Sequence, residues 1–380
     1  VLTDGDRPWT KSDDLDQVLR RIPPDSVERI ELIRGGAPGI DMQGRPVVAN
    51  VVRKRTAQVQ ASVEANAYVY PDGYVGPLFK AQYSRSEGDN RLEASLSATT
   101  DRTDGTSDGY RRRHDPSGAL ISDADLDLWD RFRNVNATAA VQRPFAGGRL
   151  RINGLIAYDT HDYAYRTTIV SGVGDDELSA EANEEWSGEL GLTWNRRLGP
   201  RTELELTGLQ RSSSSDYVGD YARPGFTWTF SEDATEGESI GRAVVRFRQN
   251  DRWSFESGGE IAYNFLDSST AYEEDGAPVP LPSASVKVEE LRGEVFGQTA
   301  WRPSPRLTVG AGLRVEVSEI SQSGASDAAK SFVYPKPRVQ LTWTPLAGHQ
   351  FRARYERQVG QLDFGDFVAS SEIDLGQVTG

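Results

Sequence analysis

The chain has 380 residues, and 43 Lys and Arg against 57 Asp and Glu give it a formal net charge of −14. The absence of Cys excludes disulfides, thiolate metal sites and thiol nucleophiles, and an acidic chain without a basic cluster argues against nucleic-acid binding. Only 37% of residues are apolar and no apolar run exceeds four residues, which excludes a transmembrane helix, yet 37 Gly, 13 Phe, 14 Tyr and 8 Trp are present. Low hydropathy with abundant Gly and aromatics has one membrane-compatible reading, a transmembrane β-barrel that hides its apolar residues in alternation.

Residues 1 to about 55 mix short strand and helix signals. Val1–Gly5 reads as a strand end closing on an Asp4-Gly5 turn. Asp13–Ile22 reads as a helix, with Leu15, Val18 and Leu19 on one face, Ser12 or Asp13 as cap and Pro23-Pro24 as stop. Ser26–Arg34 follows as a strand, Gly35-Gly36 and Gly39 mark turns, and Val47–Val52 is a short β-branched run.

From residue 57 onward, thirteen strands are expected, near 57–70, 75–86, 91–100, 132–143, 149–163, 186–197, 202–213, 239–249, 252–266, 287–302, 306–320, 331–345 and 349–358. Several alternate cleanly. Leu307, Val309, Ala311, Leu313, Val315 and Val317 share one face, opposite Arg306, Thr308, Gly310, Gly312, Arg314 and Glu316. Likewise Leu204 and Leu206 oppose Glu203 and Glu205, and Leu150 and Ile152 oppose Arg149 and Arg151. This period of two describes a sheet with one apolar and one polar face.

Connections also alternate in length. Short ones fall near 87–90, 144–148, 198–201, 250–251, 303–305 and 346–348, and long ones near 101–131, 164–185, 214–238, 267–286 and 321–330, with 71–74 a short exception. An outer-membrane meander has this arrangement, with short periplasmic turns and long external loops. Trp194, Trp253, Trp301 and Trp343 lie close to short turns, as an interfacial aromatic girdle requires. Aromatics packed in a soluble β-core are the competing explanation.

The run Ile22-Pro23-Pro24-Asp25-Ser26-Val27-Glu28-Arg29-Ile30-Glu31-Leu32-Ile33-Arg34-Gly35-Gly36 resembles the final part of the plug domain of TonB-dependent outer-membrane receptors. Upstream, Val1-Leu2-Thr3-Asp4-Gly5 looks like the family's preceding strand and turn. Downstream, Gly39 to Lys54, ending Val48-Ala49-Asn50-Val51-Val52-Arg53-Lys54, is similar to its Gly-rich segment and closing strand. Gly36 stands where the family often has Pro, and Arg53 where it often has Thr. The resemblance implies a mainly β fold, a transmembrane antiparallel β-barrel (residues 56–380), of which alternation accounts for about 13 strands, preceded by a partial α+β plug domain (residues 1–55). The barrel would be incomplete. The family's energy-coupling box would lie before Val1, and Gln358–Gly380 reads as the start of another outer loop.

The resemblance also implies a role for particular side chains. Arg29, Glu31 and Arg34 would form ion pairs between plug and barrel wall. Arg7, Trp9 and Lys11, on an apical plug loop, would contact ligand through a stacking face and cationic donors. A solvated strand face and an ordinary exposed loop are the plainer alternatives. Asp123-Ala124-Asp125-Leu126-Asp127 has oxygen ligands at calcium-like spacing but lacks the Gly and terminal Glu of an EF-hand. His114, His161 and His349 show no metal-ligand spacing, and no catalytic triad or phosphate loop stands out, so neither an enzyme nor a resident cofactor is expected.

The implied function is import of a scarce solute across the bacterial outer membrane, with the TonB–ExbB–ExbD energising complex, outer-membrane lipid and lipopolysaccharide as partners. The ligand, small or oligomeric, is unspecified: siderophore, cobalamin, carbohydrate and peptide complexes all fit. The alternatives are a structural or adhesive outer-membrane barrel without transport, and a soluble multi-strand binding protein.

Overall fold

A computed structural model describes residues 1–5, 10–12, 15–34, 47–54, 56–70, 73–102, 107–281, 284–324, 327–346, 348–360, 364, 370–372 and 377–379. Its N-terminal part is a small α/β unit. Strand β1 (Leu2–Thr3), helix α1 (Leu15–Arg20), β2 (Val27–Arg34) and β3 (Val47–Arg53) follow in chain order. Strand β3 lies centrally, parallel to β1 and antiparallel to β2. Leu2 and Val48 are buried together, with Ile33 packed against them. Asp4 and Gly5 both adopt positive φ (54° and 89°), a conformation that Gly and, less readily, Asp accept at a sharp turn.

The rest of the chain builds one antiparallel sheet. Its strands are β4 (Gln58–Val69), β5 (Val75–Glu87), β6 (Asn90–Asp101), β7 (Ser107–His114), β8 (Leu120–Phe145), β9 (Gly148–Gly172), β10 (Glu177–Arg197), β11 (Thr202–Arg223), β12 (Phe226–Arg248), β13 (Trp253–Glu274), β14 (Ala277–Pro278), β15 (Ser285–Ser304), β16 (Leu307–Gly324), β17 (Ala328–Leu346) and β18 (His349–Glu356). Thirteen of them run side by side in chain order from β4 to β18, while β7 and β14 pair only with β8 and β13. These thirteen coincide with the strands expected from alternation.

Long loops are where the reading needs correction. Residues 164–185, 214–238 and 267–286 are mostly strand, and β8 to β13 reach 21 to 26 residues each. A tilted bilayer crossing takes only about 9–11 residues, so the same strands continue as paired ribbons well beyond that length. Tight turns permit this. Between β11 and β12 only Pro224 and Gly225 remain, with Gly225 at φ 75°, and β13 turns into β14 through Asp275 and Gly276, both at positive φ. Alternation also persists. Tyr217 and Tyr221 join Phe226, Trp228, Phe230 and Tyr272 in an aromatic cluster whose centre, Trp228 and Phe230, is fully buried.

The two faces differ throughout. One carries exposed apolar side chains, among them Ile152, Ile156, Leu190, Leu206, Val245, Ile261, Val295, Leu313, Val317 and Leu341. Toward the short turns, this face holds Trp253 stacked on Trp301 with ring centroids 5.5 Å apart, and Trp343 beside Phe351 at 5.6 Å. The opposite face is charged and cross-linked. Arg246 bridges Glu205 and Glu256 at 3.0 Å each, Arg314 meets Glu294 at 2.8 Å, and Lys336 meets Glu316 at 2.7 Å.

Candidate functional site

Charges on the polar face near β6 and β9 meet charges of the N-terminal unit. Asp4 follows β1 and Arg53 ends β3, so the parallel pairing of those strands brings their side chains together. The Asp4 carboxylate accepts from the Arg53 backbone N–H (2.8 Å) and from Arg53 Nε (2.8 Å). It also pairs with Arg91 Nη1 of β6 at 2.9 Å. The Arg53 guanidinium reaches across to Glu93 of β6, whose second oxygen pairs with Arg151 of β9 at 3.0 Å. The side chains of Arg53 and Arg91 are each only 7% exposed, so these charges are held away from water. For Arg53, burial works against the charge, but Glu93 and Asp4 outweigh it and raise the guanidinium pKa further. It stays cationic at any physiological pH.

A second contact lies on β10 and β12. Glu189 is 5% exposed, and one of its oxygens accepts the backbone N–H groups of Lys11 (2.9 Å) and Ser12 (2.8 Å). Lys11 Nζ pairs with Glu238 at 2.6 Å. Between the two contacts lies a cavity of about 410 Å³, lined by Arg21, Gln60, Gln82, Gln142, Asn153 and Glu189 among others. Glu189→Ala should leave two backbone donors short of their acceptor and weaken this contact by about 1–3 kcal/mol. Faster amide exchange at Lys11 and Ser12 than elsewhere in the unit is the measurement; unchanged exchange there would refute the contact.

The residues expected from the sequence lie as follows. Lys11 is at the polar face of the sheet, bound to Glu238, while Arg7 and Trp9 lie outside the described residues. Arg29 pairs with Glu31 at 2.8 Å and with Glu28 at 2.5 Å, and Glu31 also accepts from Asn50. Those partners all belong to the unit itself. A register shift between Val27 and Arg29 marks a bulge at Glu28, which brings Glu28 to Arg29 despite their adjacency in the strand. Hydrogen bonds from Asn50 and Arg29 hold the Glu31 carboxyl below its ordinary pKa. The backbone of Arg34 ends β2, and its side chain lies outside the described residues. Asp123 sits on β8 paired with Arg112 at 3.2 Å, and no metal-binding group of three or more His, Asp or Glu occurs among the described residues. His161 pairs with Asp130 at 2.8 Å.

The sequence reading missed Asp4, Arg53, Arg91, Glu93, Arg151, Glu189 and Glu238. Asp4 reads locally as a turn residue and Arg53 as a departure from the plug pattern. Glu93 and Arg151 read as ordinary members of a polar strand face. Each stands at the end of a strand-like run, but the pairing of those two runs is visible only in the structure.

No protein-family model and no curated protein matches the chain. Solved structures do. The siderophore receptor PiuA from Acinetobacter baumannii aligns with a TM-score of 0.50 at 12% identity, over 91% of this chain and 55% of that one. The copper transporter OprC aligns at 0.48 and 14% identity, over 91% and 53%, and the ferric citrate transporter FecA at 0.47 and 14%, over 93% and 53%. The chain thus spans about half the length of these proteins. The likeness to PiuA is one of fold, that of an almost all-strand chain arranged as an antiparallel meander. The chain has the fold of the TonB-dependent outer-membrane receptors.

Proposed function

We propose that the protein is an outer-membrane importer, with residues 1–55 as part of its plug and residues 56–380 as part of its barrel wall. The observation that carries this is the buried cluster of Asp4 and Arg53 with Arg91, Glu93 and Arg151, which fastens the small unit to the polar face of the sheet. On this reading the polar face lines the lumen and the apolar face meets lipid. The long hairpins project outside the cell, and the short turns face the periplasm. Opening a path requires the cluster to be pulled apart, and buried pairs are costly to separate without replacement partners. The outer membrane has no energy source of its own, so the TonB–ExbB–ExbD complex supplies the work. Solute binding and TonB engagement are then thermodynamically linked.

Arg29, Glu31 and Arg34, on this reading, hold the other side of the plug against the part of the barrel that closes the sheet between β4 and β18. Arg7, Trp9 and Lys11 contact solute near the lumen mouth, where Lys11 is already fixed by Glu238. The protein supplies specificity and gating and performs no covalent chemistry. Uptake assays with ferric siderophores, cobalamin and oligosaccharides, in strains lacking this gene or TonB, test the proposal. Loss of uptake of one class in both strains is expected. Uptake that needs the gene but persists without TonB would overturn the energised mechanism.

A further inference from the structure

The four short turns from β8/β9 to β15/β16 each follow one pattern. An exposed arginine sits within two residues of an aromatic of the apolar face, or of its cross-strand partner. Arg143 precedes Phe145 by two residues, Arg196 lies over the Trp194 ring with its guanidinium 6.0 Å from the centroid, and Arg252 precedes Trp253. Arg306 is in the turn before Leu307, which pairs with Trp343, and its carbonyl accepts from Thr344. All four arginines are exposed, and none forms an ion pair among the described residues. Near them, Asp251 lies in the third turn and Glu203 on β11 just past the second, and the first and fourth turns have no acidic residue.

At the opposite end the charge is mixed: two hairpin tips carry Asp175, Asp176 and Glu177, and Glu273, Glu274 and Asp275, while the β7/β8 and β11/β12 hairpins carry Arg111 to Arg113 and Arg223. What sets the short-turn rim apart is that the arginines from β8/β9 to β15/β16 follow its edge beside the aromatics of the apolar face; the β5/β6 turn of the same rim, with Glu87 and Asp89, lies outside the row. Strands lie about 4.8 Å apart, so turns two strands apart present their arginines at intervals of about 10 Å. A row of that spacing, bordered on one side by stacked tryptophans, suits a layer of phosphate headgroups better than a single compact ligand. Trp and Tyr settle at the headgroup level of a bilayer, which fixes the height of the adjacent guanidiniums. Arginine also takes phosphate oxygens through two parallel N–H donors.

We infer that Arg143, Arg196, Arg252 and Arg306 form a binding row for anionic phospholipid headgroups, of the phosphatidylglycerol or cardiolipin kind, at the short-turn rim. The inference rests on the membrane reading above. An acidic protein partner is the competing occupant, but the row's continuity with the aromatic girdle favours the lipid surface.

The test uses the full chain in detergent with an equimolar mixture of phosphatidylethanolamine, phosphatidylglycerol and cardiolipin, with bound lipids counted by native mass spectrometry. At least tenfold enrichment of the anionic lipids over phosphatidylethanolamine is expected. The variant R143Q/R196Q/R252Q/R306Q should bring this to within twofold, whereas R111Q/R113Q/R166Q/R223Q, toward the opposite end, should retain it. Far-ultraviolet circular dichroism checks that each variant keeps its sheet. Inorganic phosphate at the same phosphorus concentration should not displace the lipid; displacement would reduce the site to one for free phosphate and overturn the inference. Equal retention of all three lipids by the unaltered chain, or enrichment that survives the rim variant, would also overturn it while leaving the membrane reading intact. A chain that stays soluble and lipid-free once detergent is removed would overturn both.

Discussion

Arg53→Met should detach the N-terminal unit from the sheet without unfolding the sheet itself. The substitution keeps most of the side-chain bulk and removes the one cation that touches both Asp4 and Glu93. Arg91 still faces Asp4, and Arg151 still faces Glu93, so each carboxylate retains one partner of the two. Truncating one member of a buried pair costs about 3–5 kcal/mol, and the retained partners put this case near the low end of that range. A loss of about 3 kcal/mol is roughly a hundredfold in the docking equilibrium. Hydrogen exchange in β1, β2 and β3 should accelerate by about that factor, while β9 to β13 keep their protection. Arg29→Met, which removes two exposed pairs internal to the unit, with Glu28 and Glu31, should change exchange little. Equal acceleration in both variants would mean that the cluster does not hold the unit in place.

Leu313→Arg should cost about 2–4 kcal/mol in membrane-embedded protein. Height along the strand determines which residue is most sensitive. Val309 pairs with Trp301, so it lies at the level of the girdle, where a charge costs only about 0–1 kcal/mol. Leu313, four residues on and about 13 Å further along the strand, is 49% exposed on the apolar face and lies beyond the girdle. Gln298 is next to Gly297, the cross-strand neighbour of Leu313, but points to the polar face and donates to Glu256. Gln298→Arg should therefore be tolerated at the same height. Urea unfolding from lipid vesicles measures both; similar losses would show that the apolar face does not meet hydrocarbon.

The meander was legible because a period of two survives sequence divergence wherever one face is apolar and the other charged. Leu307 to Val317 against Thr308 to Glu316 carries the whole assignment of β16 in one stretch. Strand ends were less legible. Residues 214–238 contain Ser, Asp, Glu and Gly in loop-like density, and their polarity hid the alternation of Tyr217, Tyr221, Trp228 and Phe230. Pro224-Gly225 and Asp275-Gly276 were the available signs that these segments fold back as hairpins. The charge cluster was hidden for another reason. Asp4 and Arg53 are 49 residues apart, and their partners Arg91, Glu93 and Arg151 lie on other strands. Strand order within the unit and its seating on the sheet bring them together, and neither follows from local pattern. Arg29 and Glu31 drew notice because they stand in a recognisable run, and their own strand and its neighbour supply the partners they have.

Topology in living cells tests the central claim most directly, because the native chain contains no Cys and each introduced thiol reports alone. Asp216 is exposed on the extended part of β11, and Gly199 lies in the short turn between β10 and β11. In intact cells, a membrane-impermeant maleimide should label Asp216→Cys and spare Gly199→Cys, with both labelled after the outer membrane is opened. Labelling of Gly199→Cys but not Asp216→Cys in intact cells would contradict the account.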